Sequence, residues 1–459
     1  MKTDVMPNLI LNPAHQALNL PQNLSDGLVI RLATPADMDA LADFNRRLHE
    51  GGNDPPEAVS LWTKDLMSGK HPTTTASDFI LVEDTRSDHK IVSTTCLIPQ
   101  VWAYDGLPFP VGRPELVGTD PAYRRRGLSR AIMEQIHALS QAYGHLAQGI
   151  TGIPWFYRQF GYEYALPLGG GRALSIADIP ELKEGETESY RIRPAVEADI
   201  PALTRLYNRY YTGKLVSSVI DETHWRYDLC GRSAGSVQEL KTFCVLDADN
   251  AIIAYYLTPG FLWGESLGLF ELMIDEGISL HAILPAVLRA LKNQGEGMRS
   301  PNGQKPLSHI FCRLSLGHPL FTVLEAKLGP VRSPYGWYLR VPDLPAFIRH
   351  IAPALEKRLR QSVMGGFSGA LDLSFYRGGL RLVFEHGRLI EASDWQAPDS
   401  DVRWEGAAFP PLVFLQLLFG HRSLAELRYA FPDCLADEEA ALLLDALFPK
   451  RTSWVEPLG

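Results

Sequence analysis

Arginine is concentrated in one short stretch of the sequence, at residues 124–126 and again at Arg130. The alternation of residues 115–119 predicts a strand before this stretch, and apolar residues at helical spacing predict a helix over residues 128–143. The first turn of a helix has free backbone N–H groups and the positive end of the helix dipole, and Gly127 lets an anion approach because it has no Cβ. Charge-assisted contacts from arginine contribute about 1.5–3 kcal/mol each. The pattern predicts an anion site that suits a pyrophosphate, whereas the arginine run taken alone also fits a solvated basic helix start.

Three of these positions form a motif. Arg124, Gly127 and Ser129 have a spacing that resembles the Arg/Gln-x-x-Gly-x-Gly/Ala pyrophosphate motif of GCN5-related N-acetyltransferases, with serine in place of the last glycine or alanine. The resemblance implies that acetyl-CoA binds as a co-substrate, without a metal, and that its pantetheine arm pairs with the backbone of the preceding strand. The cofactor-binding residues that it implies are Val117, Gly118, Thr119, Arg124, Arg125, Arg126, Gly127, Leu128, Ser129, Arg130, Gly152 and Ile153.

An aromatic segment follows the next predicted strand, which covers residues 146–152. Residues 157–162 resemble the Tyr-x-x-x-Gly-Phe/Tyr segment of the same family, in which the tyrosine protonates the departing thiolate of CoA. Tyr157 is the matching position and is the implied catalytic acid. Because ordinary phenol and thiol pKa values are about 10 and 8.5, this proton transfer is uphill by only about 2 kcal/mol. The alternative is an aromatic side chain packed in the core with its hydroxyl group hydrogen-bonded.

The chain contains an internal repeat. Residues 30–47 and 192–209 are identical at eight of eighteen positions without gaps. Each copy predicts a short strand followed by an amphipathic helix, and Thr34 is the predicted N-cap of the first helix. We therefore expect two related domains, separated by a polar linker at residues 183–188.

The second copy lacks the anion site. Residues 272–278 carry two carboxylates where the first copy has arginines, and Pro285 interrupts the apolar run that follows. Carboxylates at this turn repel a pyrophosphate. We expect the second domain to have the same fold with a degenerate cofactor site, and to help wall the substrate pocket.

The last third of the chain has a different pattern. Residues 369–392 alternate between apolar and polar side chains and are divided by glycine-containing turns, which predicts an antiparallel meander. Two apolar helices are predicted near residues 412–419 and 438–447. These elements indicate a third, α+β domain with a hydrophobic helical layer.

Two acetyltransferase-like domains followed by such a domain resemble the enhanced-intracellular-survival acetyltransferases. The resemblance implies a mixed α/β (α+β) chain of two tandem GCN5-related acetyltransferase domains and a sterol-carrier-protein-like α+β domain. The expected divisions are an N-terminal extension (1–27), a catalytic domain with the acetyl-CoA site (28–185), a second acetyltransferase-like domain with a degenerate cofactor site (186–335) and the sterol-carrier-protein-like domain (336–459). The family also implies a homo-oligomer, and a terminal carboxylate, here that of Gly459, that takes the proton of the acceptor amine. A frayed terminus is the alternative for that last residue.

One further motif points to a different chemistry. Gly231, Ser233 and Gly235 match the Gly-x-Ser-x-Gly nucleophile elbow of hydrolases. That elbow needs a strand before it and a helix after it, and neither is predicted here. We interpret Ser233 as a loop serine.

Composition excludes several other classes. Hydrophobic residues make up 46% of the chain and charged residues 21%, as in globular proteins. The net charge of −9 argues against a dedicated nucleic-acid binder, and five scattered cysteines without Cys-x-x-Cys spacing argue against a disulfide scaffold and the usual zinc sites. No stretch reaches the ~20 apolar residues of a membrane helix, and the N-terminus has no apolar signal core. We expect a cytoplasmic protein without a membrane span.

The sequence therefore predicts an acetyl-CoA-dependent N-acetyltransferase that moves an acetyl group to the primary amine of a cationic substrate by direct attack. A small polyamine-like or aminoglycoside-like molecule and a protein lysine all suit an acidic chain, whose field attracts cations. The alternative is a non-catalytic acyl-CoA or lipid-binding protein, because carrier-like domains hold hydrophobic ligands.

Overall fold

The computed structural model describes residues 13–51, 54–298, 300, 305–315, 317–396 and 406–457. Its strands are β1 (Gln22–Asn23), β2 (Leu28–Leu32), β3 (Phe79–Asp84), β4 (Lys90–Tyr104), β5 (Leu107–Thr119), β6 (Ala147–Ile150), β7 (Glu163–Leu168), β8 (Arg172–Ser175), β9 (Arg191–Pro194), β10 (Val216–Ser218), β11 (Leu240–Leu246), β12 (Ile252–Pro259), β13 (Ser266–Leu269), β14 (Glu271–Ile274), β15 (His309–Cys312), β16 (Tyr335–Arg340), β17 (Gly369–Ser374), β18 (Gly379–Glu385), β19 (Arg388–Asp394), β20 (Ala407–Ala408) and β21 (Leu435–Ala436). Its α-helices are α1 (Pro13–Gln16), α2 (Met38–His49), α3 (Ala58–Met67), α4 (Leu128–Ala142), α5 (Ile200–Tyr211), α6 (Glu222–Arg226), α7 (Leu280–Glu296), α8 (Pro319–Val323), α9 (Leu344–Arg360), α10 (Phe414–Leu418), α11 (Leu424–Ala430) and α12 (Glu438–Leu447).

The largest sheet has the strand order β1-β2-β3-β4-β5-β6-β16-β7, and β10 also pairs with β4. Strands β2 to β5 are antiparallel neighbours, whereas β5 and β6 are parallel and are connected through α4. Alternate side chains of β3 divide between the two faces. Leu81 packs with α2 and α3, and its neighbours Ile80 and Val82 pack with α4. The sheet is therefore covered by helices on both faces, as the buried strands require.

Two strands cross the divisions expected from the sequence. Strand β8, from the first segment, pairs with β15 of the second segment. Strand β16 lies between β6 and β7 of the first segment, although it spans the expected boundary at residues 335 and 336. The segments thus exchange strands, so the large sheet and the β13-β15-β8 sheet each need residues from more than one segment.

Both copies of the repeat fold into the same local structure, which is stabilised by the same ion pair. Arg31 donates two hydrogen bonds to the carboxylate of Asp37, at 2.9 and 2.7 Å, and Arg193 does the same with Asp199, at 2.6 and 2.8 Å. In the first copy Thr34 caps a 3₁₀ turn just before α2. The bidentate pair fixes the angle between strand and helix, which explains why arginine and aspartate recur six residues apart.

The second copy also repeats the strand arrangement of the first. One sheet has the order β14-β12-β11-β9, and β13 pairs in parallel with β15. This matches the antiparallel β5-β4-β3-β2 order and the parallel pairing of β5 with β6. Helix α7 connects the two parallel strands, as α4 does in the first copy.

The predicted meander of the last third is confirmed by β17, β18 and β19, which pair as antiparallel neighbours. Helix α12 has the predicted bounds, and α10 is shorter than the predicted helix over 412–419. One apolar cluster joins this part to the large sheet, because Trp102 and Trp337 belong to the same core as Leu373 and Phe414. The third segment is therefore packed onto the first rather than tethered to it.

Two searches of the described residues gave negative results. No helix among them combines the length and the apolar composition that crossing a membrane requires. No group of three or more His, Cys, Asp and Glu side chains within them could hold a metal ion.

Candidate functional site

The parallel pair at the centre of the large sheet separates near one end. Strand β5 pairs with β6 only at Val111 and Gly112. On its other edge it continues to pair with β4 as far as Thr119, with a register shift that leaves Leu116 and Val117 without partners. Leu116 has a φ of +51°, which is rare for a residue with a Cβ. This β-bulge turns the strand away from β6 and leaves a backbone edge at which an extended ligand could add hydrogen bonds.

A cavity of about 240 Å³ lies where β5 gives way to α4. Asp120 begins the connecting turn, because its carboxylate accepts a hydrogen bond from the amide of Ala122 at 2.9 Å. Gly127 has a φ of +77°, and a Cβ added there would meet no atom within 4 Å. The amides of Leu128 and Ser129 have no acceptor among the described residues. The cavity thus presents free N–H groups and the positive end of a fifteen-residue helix to an anion.

Three of the four arginines line the cavity, and the fourth does not. Arg124 and Arg125 are exposed, line the cavity and form no ion pair within the described part of the chain. Arg130 also lines the cavity and lies over the ring of Phe160. Arg126 is held by the carboxylate of Asp26 at 3.0 Å and does not line the cavity. A phosphate would therefore meet Arg124, Arg125 and Arg130 directly.

Serine is compatible with position 129 because its hydroxyl group faces the strand. The Ser129 Oγ lies 3.1 Å from the Thr119 Oγ1, which lies 2.9 Å from the Oγ of Ser93. This chain of hydroxyl groups ties the first turn of α4 to the ends of β4 and β5. The side chain therefore leaves the amide edge of the turn open.

Tyr157 lies on a 3₁₀ turn over Phe156–Phe160 and is only 4% exposed. Burial raises the pKa of Tyr157, and the nearby Glu115 and Tyr335 raise it further. The phenol therefore keeps its proton at neutral pH. A Cβ added at Gly152 would come within 3.8 Å of the Tyr157 hydroxyl group, so glycine there leaves room beside it.

The two remaining predicted cofactor residues lie next to this tyrosine. Gly152 has a φ of +119°, and its carbonyl oxygen accepts a hydrogen bond from the Tyr335 hydroxyl group. The side chain of Ile153 is 57% exposed. Neither residue lines the anion cavity, and nor do Val117 and Gly118, which lie along the free strand edge.

Sequence analysis missed a set of charged residues at the bulge. Glu115 precedes Leu116 and pairs with Arg113 at 2.5 Å, although Arg113 is only 2% exposed. The Nε2 of His49, at the end of α2, is buried without a partner among the described residues. Burial lowers the pKa of His49, so its imidazole is neutral at neutral pH. The sequence contains a signal for this set, namely the charged residues Arg113 and Glu115 in a strand that is otherwise buried. Burying charged side chains costs free energy, so their presence in such a strand indicates a specific role.

The end of the chain is held in place as far as residue 457, whereas Gly459 lies outside the described residues. Trp337 Nε1 donates a hydrogen bond to the Val455 carbonyl oxygen at 3.0 Å, and the amide of Glu456 donates one to the Ser218 Oγ at 3.0 Å. Trp454, Val455 and Glu456 are all buried.

The second copy is closed at the corresponding place. The carboxylate of Asp275 pairs with Arg205 and Arg209. The Nε2 of His318 lies 3.1 Å from the carbonyl oxygen of Leu272, on β14, the strand that corresponds to β5 of the first copy. Side chains of this chain therefore take the positions that an anion and an extended ligand would need.

The expectation that Pro285 interrupts the following segment is wrong. Helix α7 runs through it from Leu280 to Glu296. Proline removes one N–H donor near the start of the helix, and the apolar face of Ile283, Leu284, Val287 and Leu291, buried in the second core, compensates for that loss.

Ser233 is not a nucleophile elbow. Its amide and hydroxyl groups both donate to the carboxylate of Asp65, the hydroxyl at 2.5 Å, and no helix follows it. The interpretation of Ser233 as a loop serine is confirmed.

Residues 29–165 match the model of the family described as "Acetyltransferase (GNAT) domain". These residues form a GNAT acetyltransferase domain. The enzyme class is therefore N-acetyltransferase, and the acyl donor that this fold uses is acetyl-CoA. The bulge, the free edge of β5 and the start of α4 all lie inside the matched GNAT segment.

Solved structures resemble the whole chain, not the GNAT domain alone. A GCN5-related N-acetyltransferase from Kribbella flavida is 18% identical, with a TM-score of 0.62 over 94% of this chain and 98% of that one. A probable N-acyltransferase from Enterococcus faecalis is 14% identical, with a TM-score of 0.65 over 94% and 100%. Eis1 from Mycobacterium abscessus is 14% identical, with a TM-score of 0.59 over 93% and 99%. At these identities the likeness shows the fold. A search of curated protein sequences found no match.

Proposed function

We propose that the chain transfers the acetyl group of acetyl-CoA to a primary amine by direct attack. The amine nitrogen bonds to the thioester carbonyl carbon, the C–S bond breaks, and the departing thiolate takes the proton of Tyr157. The observation that supports this most strongly is one continuous feature. The cavity with free amides at Leu128 and Ser129 reaches the end of β5 at Thr119, and the free edge of β5 runs from there to the bulge, where Glu115 is close enough to Tyr157 to influence its pKa.

The proposed positions of the co-substrate follow from this feature. The pyrophosphate would contact the first turn of α4 and the side chains of Arg124, Arg125 and Arg130. The pantetheine arm would pair with the edge of β5 at Val117 and Thr119. Arg126 would contribute after it exchanges Asp26 for a phosphate.

The proton of the attacking ammonium needs an acceptor. We propose Glu115, with the neutral His49 behind it, because both groups lie at the bulge: Glu115 precedes Leu116, and the His49 imidazole is close enough to Glu115 and Leu116 for both to influence its pKa. The carboxylate of Gly459 is the second proposal, since the buried segment before it brings the end of the chain to β10.

The substrate class is also a proposal. A net charge of −9 attracts cations over the whole surface, which favours a cationic primary amine such as a polyamine-like or aminoglycoside-like molecule or a protein lysine.

We further propose the tandem arrangement of two acetyltransferase domains, the second with a degenerate cofactor site, followed by a sterol-carrier-protein-like domain. The repeated ion pair, the matching strand order and the closed second groove support the tandem part. The meander with its helical layer supports the third part. A cytoplasmic homo-oligomer remains the proposed state.

The rival proposal, a non-catalytic lipid-binding protein, has less support. In the sheet formed by β17, β18 and β19, inner side chains such as Leu373 and Leu382 are fully buried. They pack against Phe414 and Leu444 in a closed core. A lipid would have to displace this packing.

A direct assay separates the two proposals. The full chain is incubated with acetyl-CoA and a panel of amines, and free thiol is measured over time. Thiol release that depends on an amine supports the transferase. Tight CoA binding with no thiol release from any amine contradicts it and favours the binding protein.

A further inference from the structure

The second copy of the repeat contains a cavity of its own, with a volume of about 240 Å³. Its walls are largely apolar and include Trp225, Trp263, Phe270, Leu240 and Leu257. An apolar cavity of about 150 Å³ is large enough to bind benzene. The cavity in this chain therefore has room for one aromatic ring and a short side chain.

Three carboxylates and two guanidinium groups line this cavity within the described residues. Asp228 pairs with Arg232 at 2.6 Å, and Glu456 pairs with Arg313 at 3.4 Å. Glu271 forms no ion pair with any described basic side chain. When Glu271 is ionised, the three carboxylates and two guanidinium groups give the lining a net charge of −1.

The carboxylate of Glu271 accepts hydrogen bonds from two neutral donors, which fix its position. The hydroxyl groups of Tyr255 and Tyr211 donate to its two oxygens at 2.8 and 3.0 Å. Burial, together with the nearby Glu456, raises the pKa of Glu271 to about 8. Glu271 therefore carries a proton at neutral pH, and a bound cation would displace it.

We propose that this cavity binds an organic monocation, namely one ammonium group carried on an aromatic or similarly apolar body. Glu271 pairs with the ammonium group, and the faces of Trp225, Trp263 and Phe270 enclose the body. Aromatic faces also attract cations directly, which adds to the pairing. This goes beyond acetyl transfer, because the site needs no acetyl-CoA.

The same lining disfavours polycations. Of the carboxylates that line the cavity in the described part of the chain, Glu271 alone lacks a basic partner, so a second or third ammonium group would lie against tryptophan and phenylalanine without a carboxylate. Burying a charge without a partner costs far more than an aromatic face returns. Selectivity for one charge therefore follows from the arrangement of the ion pairs.

The cavity also leads towards the first copy. Asp228 and Arg232 line a narrow cleft whose far wall is Ile98 and its neighbours on β4. Ile98 pairs across the sheet with Arg113, the partner of Glu115. The cavity therefore shares Asp228 and Arg232 with a cleft beside β4, the strand that pairs with β5.

Calorimetry with simple probes tests the site without any turnover. The full chain is titrated with 2-phenylethylamine, with 2-phenylethanol, which has the same body and no charge, and with spermidine, which has charges and no ring. We expect saturable binding of 2-phenylethylamine, tighter than that of either other probe and accompanied by proton release at neutral pH. No saturable binding of 2-phenylethylamine, or tighter binding of spermidine, would overturn the proposal.

Variants locate the binding within the cavity. Glu271→Gln keeps the shape and removes the charge, so it should weaken 2-phenylethylamine by at least about tenfold and abolish the proton release. Trp263→Ala should weaken the same probe through the lost wall, and it serves as the second variant if Glu271→Gln does not fold. Glu276→Gln, exposed and outside the cavity, is the matched control and should change nothing. Unchanged affinity in both cavity variants would place the probe elsewhere and overturn the proposal.

Discussion

At the scale of single residues, the account depends on a phenol that holds its proton. Tyr157 is buried among Phe156, Tyr162 and Tyr338, and no hydrogen-bond acceptor for its hydroxyl group occurs in the described residues. An unpaired phenol with a raised pKa is a poor anion, so it still holds its proton when the thiolate leaves, and the raised pKa makes the transfer more uphill than between an ordinary phenol and thiol. The group can therefore serve a leaving thiolate without first giving up a native hydrogen bond.

Replacing Tyr157 with phenylalanine removes this proton and little else. We expect kcat to fall by roughly 10²–10⁴-fold, the usual contribution of a positioned general acid, while the Kd for acetyl-CoA stays within a factor of about two. Steady-state kinetics and calorimetry measure the two quantities. Tyr143→Phe is the control and should keep its turnover, because Tyr143 is a half-buried tyrosine at the far end of α4 whose hydroxyl group donates to Asp78. Unchanged kcat in Tyr157→Phe would remove this residue from its proposed role.

The raised pKa of Glu271 leads to a prediction about how the stability of the folded protein depends on pH. Its folded-state pKa of about 8 lies above the value of about 4.3 expected in the unfolded chain, so the folded protein binds the extra proton between these values. Stability contributed by this group is therefore present at low pH and is lost as the pH rises towards 8. We expect Glu271→Gln to gain Tm relative to the natural chain as the pH is raised from 5 to 8. A Tm difference that does not change with pH, as expected for the exposed control Glu276→Gln, would contradict the assignment.

At the scale of elements, the proposal places the pyrophosphate of acetyl-CoA at the start of α4. Gly127 adopts a positive φ and faces open space, so a side chain there costs backbone strain of about 1–2 kcal/mol and also occupies the path of the phosphate. We expect Gly127→Val to weaken acetyl-CoA binding by more than tenfold, measured by calorimetry. Gly144→Val, at the other end of the same helix with a φ of +74° and equally open space, is the matched control for strain. Equal affinity in the two variants would mean that the phosphates bind elsewhere.

Local patterns made the elements around the site predictable. The strand before the arginines, the helix after them and the meander of the last third all depend on periodicity within a few residues, and all three formed. The repeat was likewise visible in the sequence, because its two copies are identical at eight of eighteen positions. These positions include the arginine and the aspartate, six residues apart, that form the ion pair.

Features that depend on distant partners could not be predicted in the same way. The bulge at Leu116 arises from the register between β4 and β5. His49, which lies near the bulge, comes from the end of α2, a separate element far away in the sequence. Arg126 lies within the motif segment and was predicted to bind the cofactor, yet Asp26, one hundred residues earlier, holds its side chain. The passage of α7 through Pro285 was missed because burial against a sheet outweighed one lost hydrogen bond.

At the scale of the whole molecule, the three segments form interdependent sheets. Strand β16 fills the gap between β6 and β7, and β8 completes the sheet of the second copy. The core around Trp102 and Trp337 continues into the third segment. The GNAT domain therefore lacks one of its strands when the chain ends before residue 335.

A truncation tests this dependence. We expect a chain that ends at residue 330 to lose acetyl-CoA binding and cooperative thermal unfolding, because β6 and β7 would each expose an unpaired edge. Circular dichroism and calorimetry measure both properties. A truncated chain that melts cooperatively and binds acetyl-CoA as the full chain does would show that the segments fold separately.

The central claim is the position of acetyl-CoA, and a crystal structure of the full chain with CoA tests it most directly. The account predicts pyrophosphate oxygens within hydrogen-bond distance of the amides of Gly127, Leu128 and Ser129, and a pantetheine arm along β5 that ends with its sulfur beside Tyr157. Density for the coenzyme in any other part of the molecule, or a sulfur far from Tyr157, would contradict it.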